Sequence, residues 1–81
     1  MNTIAAASHA RARARRDAIA AGTAWTTRCL YEGRELVHLD CGHDAVGLAK
    51  DFVSNPGFSD VTLTAPDGVV YGEKEISEMR F

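Results

Sequence analysis

The chain has 81 residues, 46% of them hydrophobic and 25% charged, which suits one domain with one modest core. No apolar run approaches the ~20 residues of a membrane-spanning helix, and the Ala/Arg-rich start lacks the apolar block of a secretory signal. The net charge of −2 hides a split: residues 1–22 sum to +3 and residues 23–81 to −5. An acidic body repels nucleic acid and attracts basic protein surfaces.

Residues 4–21 read as a helix, because Ala and Arg are strong helix formers. Asn2 or Thr3 can cap its first turn, and Gly22 stands where a C′ glycine would end it. Its large apolar residues are Ile4 and Ile19 alone, beside a thin stripe of Ala6, Ala10 and Ala14. Such a helix docks weakly, frays, or becomes ordered on a partner. The acid-free, Arg-rich first 16 residues also have the look of a mitochondrial transit peptide. The two cysteines, Cys29 and Cys41, are too few for a disulfide framework, so reduced thiols and a cytoplasmic setting are expected.

Residues 23–31 and 35–41 alternate as two strands around a turn at Glu32-Gly33-Arg34. A three-residue loop collects Trp25, Cys29, Tyr31, Val37, Leu39 and Cys41 on one face. A two-residue loop would instead mix them with His38 and Asp40. The cleaner separation favours the three-residue loop. That register sets Cys29 and Cys41 too far apart to bridge.

Residues 44–54 carry the strongest periodicity in the chain, with Ala45, Leu48, Ala49, Phe52 and Val53 on one helical stripe. Asp44 is an N-cap or first-turn acid, and Asn55-Pro56-Gly57 stops the helix. Residues 59–65 alternate as a strand, Pro66-Asp67-Gly68 predicts a bulged turn, and residues 69–73 return. The acidic tail from Glu73 to Phe81 suits a short helix or a further strand. The expected fold is α+β: an N-terminal helix followed by a ββαββ unit, one domain over residues 1–81, its antiparallel sheet covered by one helix.

The densest polar cluster runs from His38 to Asp44. Zinc takes such ligands, but strand alternation sends Cys41 away from His38 and Asp40, leaving only Cys41 and His43 to converge. The expectation is no metal and no cofactor. A Cys41 nucleophile, activated by the helix start that follows it, lacks an oxyanion hole or pocket. Gly42 and Gly47 lack the Lys-Ser/Thr of a phosphate loop. No enzyme is expected. Arg11, Arg13, Arg15 and Arg16 are a basic contact available to phosphates, but they spread around the helix without aromatic residues among them. Glu32, Glu35, Asp60, Asp67, Glu73, Glu75 and Glu78 are the stronger lead, as negative charge offered to a basic groove on a partner.

In size, acidic body and hairpin–helix–hairpin order over residues 23–73, the chain resembles the small phage-encoded anti-CRISPR proteins that inhibit type I systems. That group shares no motif, so no functional residue is carried over. The resemblance implies binding to a Cascade-type complex on its basic DNA-binding surface, in the host cytoplasm, excluding target DNA. The alternative is a nucleic-acid-binding or regulatory protein working through the Arg-rich helix.

Overall fold

The computed structural model describes the backbone of residues 3–80 and the side chains of residues 9–80. The cap expected from Asn2 or the Thr3 side chain, the apolar contributions of Ile4 and Ala6, and Phe81 lie outside the described residues. The elements run α1 (Thr3–Ala21), β1 (Trp25–Tyr31), β2 (Arg34–Asp40), α2 (Gly42–Ser54), β3 (Phe58–Thr64), β4 (Val70–Tyr71) and α3 (Glu73–Glu78). The strands form one antiparallel sheet in the order β2-β1-β3-β4. The α+β architecture is the one expected, and the acidic tail is the helix α3.

The core lies between one sheet face and the pair α2 and α3. It contains Cys29, Ala45, Ala49, Val61, Leu63 and Ile76. Ala45 and Ala49 are fully buried, and their small side chains let α2 sit close on the sheet. Phe52 of α2 stacks on Phe58 at 4.2 Å between ring centroids, and Phe58 meets Tyr31 at 4.7 Å. At the other end Trp25 faces Tyr71 at 6.1 Å. The Trp25 indole also lies against Gly42, where an added Cβ would come within 2.9 Å of Nε1. Gly42 therefore serves packing, which explains a glycine at the start of a helix.

The first hairpin corrects the expected register. Its loop has two residues, not three: Tyr31 pairs with Arg34, Cys29 with Leu36, Thr27 with His38 and Trp25 with Asp40. Glu32 and Gly33 have φ of 51° and 79°, the positive pair of a type I′ turn, whose twist matches that of the strands. The core face of β1 and β2 is thus Trp25, Thr27, Cys29 and Tyr31 with Leu36, His38 and Asp40. Val37 and Leu39 point to the reverse face, and Val37 is 47% exposed. Hydrophobic separation did not decide the register because β2 is an edge strand that α2 and α3 barely cover. Turn geometry decided it instead.

The third strand contains a second register device. Arg28 pairs with Thr62 but Leu30 pairs with Ser59, so β3 holds one extra residue opposite Cys29. Asp60 absorbs it with φ of 52°. The bulge flips the parity of β3, so Phe58 joins Val61 and Leu63 on the core face. The second hairpin matches its turn chemistry: Gly68 has φ of 91°, and its N–H donates to the Ala65 carbonyl at 2.9 Å. Its return strand is shorter than expected, with Val70 and Tyr71 alone paired to β3. Val69, expected within the returning strand, lies outside it and is exposed.

Helix α1 packs along β2. Ala18 is its one buried side chain among the described residues, and Ile19 is exposed. The Arg15 Nε–H donates to the Leu39 carbonyl at 2.6 Å. In the observed register Leu39 belongs to a non-hydrogen-bonded pair with Thr26, so that carbonyl faces outward from the sheet edge. Arg15 thus supplies a partner that a neighbouring strand would otherwise supply.

Two outcomes follow from the packing. Ile76→Ala is expected to lower the unfolding free energy by about 2–5 kcal/mol in a urea titration, and a loss below ~1 kcal/mol would place α3 outside the cooperative core. Asp60→Gly should hold or raise stability, while Asp60→Val should cost about 1–2 kcal/mol because a β-branched residue resists positive φ. Equal values for the two variants would contradict the bulge.

Candidate functional site

The structure gives most of the acidic candidates local work. Glu35 accepts from Arg28 Nη1 at 3.1 Å, an exposed pair. Such pairs contribute about 0–1 kcal/mol. Asp67 accepts the Val69 N–H at 3.0 Å within its turn, and Glu75 accepts the Gly72 N–H at 3.1 Å at the start of α3. Glu73 accepts the Val61 N–H at 3.5 Å, which brings it beside Asp60. Glu32 sits in the hairpin turn and Glu78 ends α3. These seven residues lie on the first hairpin, the second hairpin and α3.

The arginines also divide. Arg11 and Arg15 turn toward the body, Arg15 onto Leu39 and Arg11 onto the border of a groove. Arg13 and Arg16 lie on another side of α1, with His9 and Ala12. All four are exposed.

The segment from His38 to Asp44 is drawn together differently from the expectation. The strand ends at Asp40, so alternation no longer separates Cys41 from its neighbours. The Cys41 N–H donates to Asp40 Oδ1 at 2.8 Å, and the Cys41 thiol donates to Asp44 Oδ2 at 3.4 Å. Asp40, Cys41 and Asp44 each bring one potential ligand atom within 4.8 Å of the others, a set that does not include His43. His38 Nε2 lies 3.3 Å from Asp40 Oδ2. Both cysteines are free thiols. Burial pushes the Cys41 thiol above its ordinary pKa, and the Asp44 and Asp40 carboxylates push it further, against the one lowering contribution of a backbone bond at Asp44. Burial likewise raises Cys29. The helix start therefore does not make Cys41 the activated nucleophile that its position suggested.

Between α2 and β2 lies a groove of about 660 Å³. Its apolar lining includes Leu36, Leu48 and Phe52, and its carboxylates are Asp40, Asp44 and Asp51. Arg11 is the one arginine or lysine along it. Thr27 belongs to the lining although only 1% of its surface is exposed, and its Oγ1 has no hydrogen-bond partner among the described residues. Thr27 stands on β1 directly opposite His38, so the two side chains share the groove face. A buried hydroxyl without a partner costs about 1–3 kcal/mol, and Thr27 Oγ1 is the one such side-chain atom among the described residues. Sequence reading passed over Thr27, Asp51 and the groove. The signal was present only as a threonine at the centre of an otherwise apolar strand face.

Comparison with protein-family models, with curated proteins and with solved structures finds no match.

Two measurements check this geometry. Thr27→Val removes the unpartnered hydroxyl at constant shape, so it is expected to raise the unfolding free energy by about 1–2 kcal/mol; a decrease would mean that Oγ1 is bonded. Iodoacetamide at neutral pH should modify Cys41 more slowly than an unperturbed thiol, and Asp44→Asn should speed it by removing one of the charges that hold the proton on sulfur. An unchanged rate in that variant would contradict the assigned cause.

Proposed function

We propose that the protein is a non-catalytic cytoplasmic binding protein whose acidic body engages a basic surface on a macromolecular complex. The observation that carries this reading is the groove between α2 and β2, whose lining holds three carboxylates, Asp40 beside His38 among them, with His43 and with Arg11 as the one arginine or lysine. A net −5 body gives the approach its long-range attraction. The raised pKa of the Cys41 thiol argues against the one nucleophile that the sequence suggested. No described helix is long and apolar enough to cross a membrane.

The sharpest form of the reading is an inhibitor of the anti-CRISPR kind, occupying the DNA-binding surface of a type I Cascade complex. Direct nucleic-acid binding through α1 is the competing form. It is weakened by the division of the arginines, because Arg15 is committed to Leu39 and Arg11 borders the groove.

A pull-down of purified Cascade-type complex by the tagged full chain decides between them. Binding is expected at about 50 mM salt and should fall about tenfold or more by 500 mM. Asp44→Lys with Asp51→Lys should abolish it, and the same complex should lose its target-DNA shift when the parent chain is present. Capture that ignores salt would contradict the electrostatic basis. A DNA mobility shift by the chain itself, lost on Arg13→Gln with Arg16→Gln, would replace this reading by the nucleic-acid one.

A further inference from the structure

The groove is built for something narrower than a diffuse charged contact. Its lining pairs an apolar wall of Leu36, Leu48 and Phe52 with carboxylates at Asp40, Asp44 and Asp51. An arginine side chain has the same two parts in the same order, an apolar stem and a planar cationic head with five N–H donors. Its volume of about 660 Å³ falls within the range of ligand sites.

Independent of the carboxylates, Thr27 Oγ1 is buried within this lining and has no partner among the described residues. A hydroxyl accepts as well as donates, so it suits a donor-only head. Arginine is such a head. Lysine offers a compact point charge, whereas a guanidinium spreads five donors over a planar fork.

We propose that the groove between α2 and β2 is the receptor for an arginine side chain of the partner protein, with Asp44 and Asp51 binding the guanidinium and Thr27 accepting from it. Leu48 and Phe52 cover the stem. Arg11 stands at the border as a like charge, lowering affinity for any cation that enters. The inference rests on the proposed binding of a basic protein surface, and it names the part of that surface that enters and where.

The test is a two-dimensional amide NMR titration of the full chain with N-acetyl-arginine amide, against its neutral isostere N-acetyl-citrulline amide. Arginine amide is expected to shift Thr27, Gly47 and Phe52, with citrulline amide at least fivefold weaker. Asp44→Asn and Asp51→Asn should each weaken arginine amide about two- to fivefold, and Thr27→Val should weaken it about three- to tenfold while remaining folded. Arg11→Gln should tighten it about two- to fivefold by removing the like charge. Equal effects of arginine and citrulline amides, or arginine shifts confined to Glu32, Glu73, Glu75 and Glu78, would overturn the arginine receptor. So would a weaker site in Arg11→Gln, since removing a like charge should not weaken a cation's binding. Partner capture that survives with a silent groove overturns this inference alone. Loss of capture with a responsive groove overturns the wider reading and leaves the receptor standing.

Discussion

The two-residue turn at Glu32 and Gly33 determines more of this molecule than its own size suggests. Positive φ at both positions pairs Tyr31 with Arg34, and every later pair between β1 and β2 follows from that one. A loop longer by one residue would turn Val37 and Leu39 toward α2 and send His38 and Asp40 to the reverse face. With the turn as it stands, the face under α2 carries Thr27, His38 and Asp40, and the apolar residues of the edge strand face outward. The groove is a consequence of that turn. Its polar side is supplied by the strand face that the turn selects, and its apolar side by the stripe of α2.

The bulge at Asp60 does the complementary work on the other side of β1. It lets Phe58, Val61 and Leu63 share the core face despite their spacing, which anchors α2 through the Phe52–Phe58 stack. Because α2 is fixed on β1 and β3, it overhangs β2 without closing on it. The space left under the overhang is the groove. Helix α1 borders it and contributes Arg11, while Arg15 satisfies the outward Leu39 carbonyl of the edge strand. A basic helix with little apolar area is thus held by a directed hydrogen bond more than by burial, with Ala18 its one buried side chain among the described residues.

Much of the fold was legible in the residues. The stripe of Ala45, Ala49 and Phe52 announces α2 because a helix packed on a sheet must repeat its apolar positions. Pro66-Asp67-Gly68 announces its turn because only a few residue types meet its dihedral demands. The first register was not legible, since Glu32 is a poor residue for positive φ and hydrophobic separation pointed to the wrong loop. That rule holds for a strand under a helix, and β2 lies mostly outside one. The bulge was hidden for the same kind of reason: nothing in Ser59-Asp60-Val61 marks the extra residue except an Asp that tolerates the left-handed region. The groove depends on the register, so it was out of reach as well. The acidic residues that the sequence does single out turn out to include an ion pair, a turn acceptor, a bulge position and a helix start, each a local structural use.

The register of the first hairpin is therefore the point on which the groove stands or falls, and cross-strand NOEs measure it directly. In the two-residue register, Thr26–Leu39, Arg28–Val37 and Leu30–Glu35 are the non-hydrogen-bonded pairs, so strong Hα–Hα NOEs should join their members. Hα–Hα NOEs joining Leu30 to Leu36 and Arg28 to His38 would mean the three-residue loop, with Val37 and Leu39 in place of His38 and Asp40 opposite α2, and not the groove described.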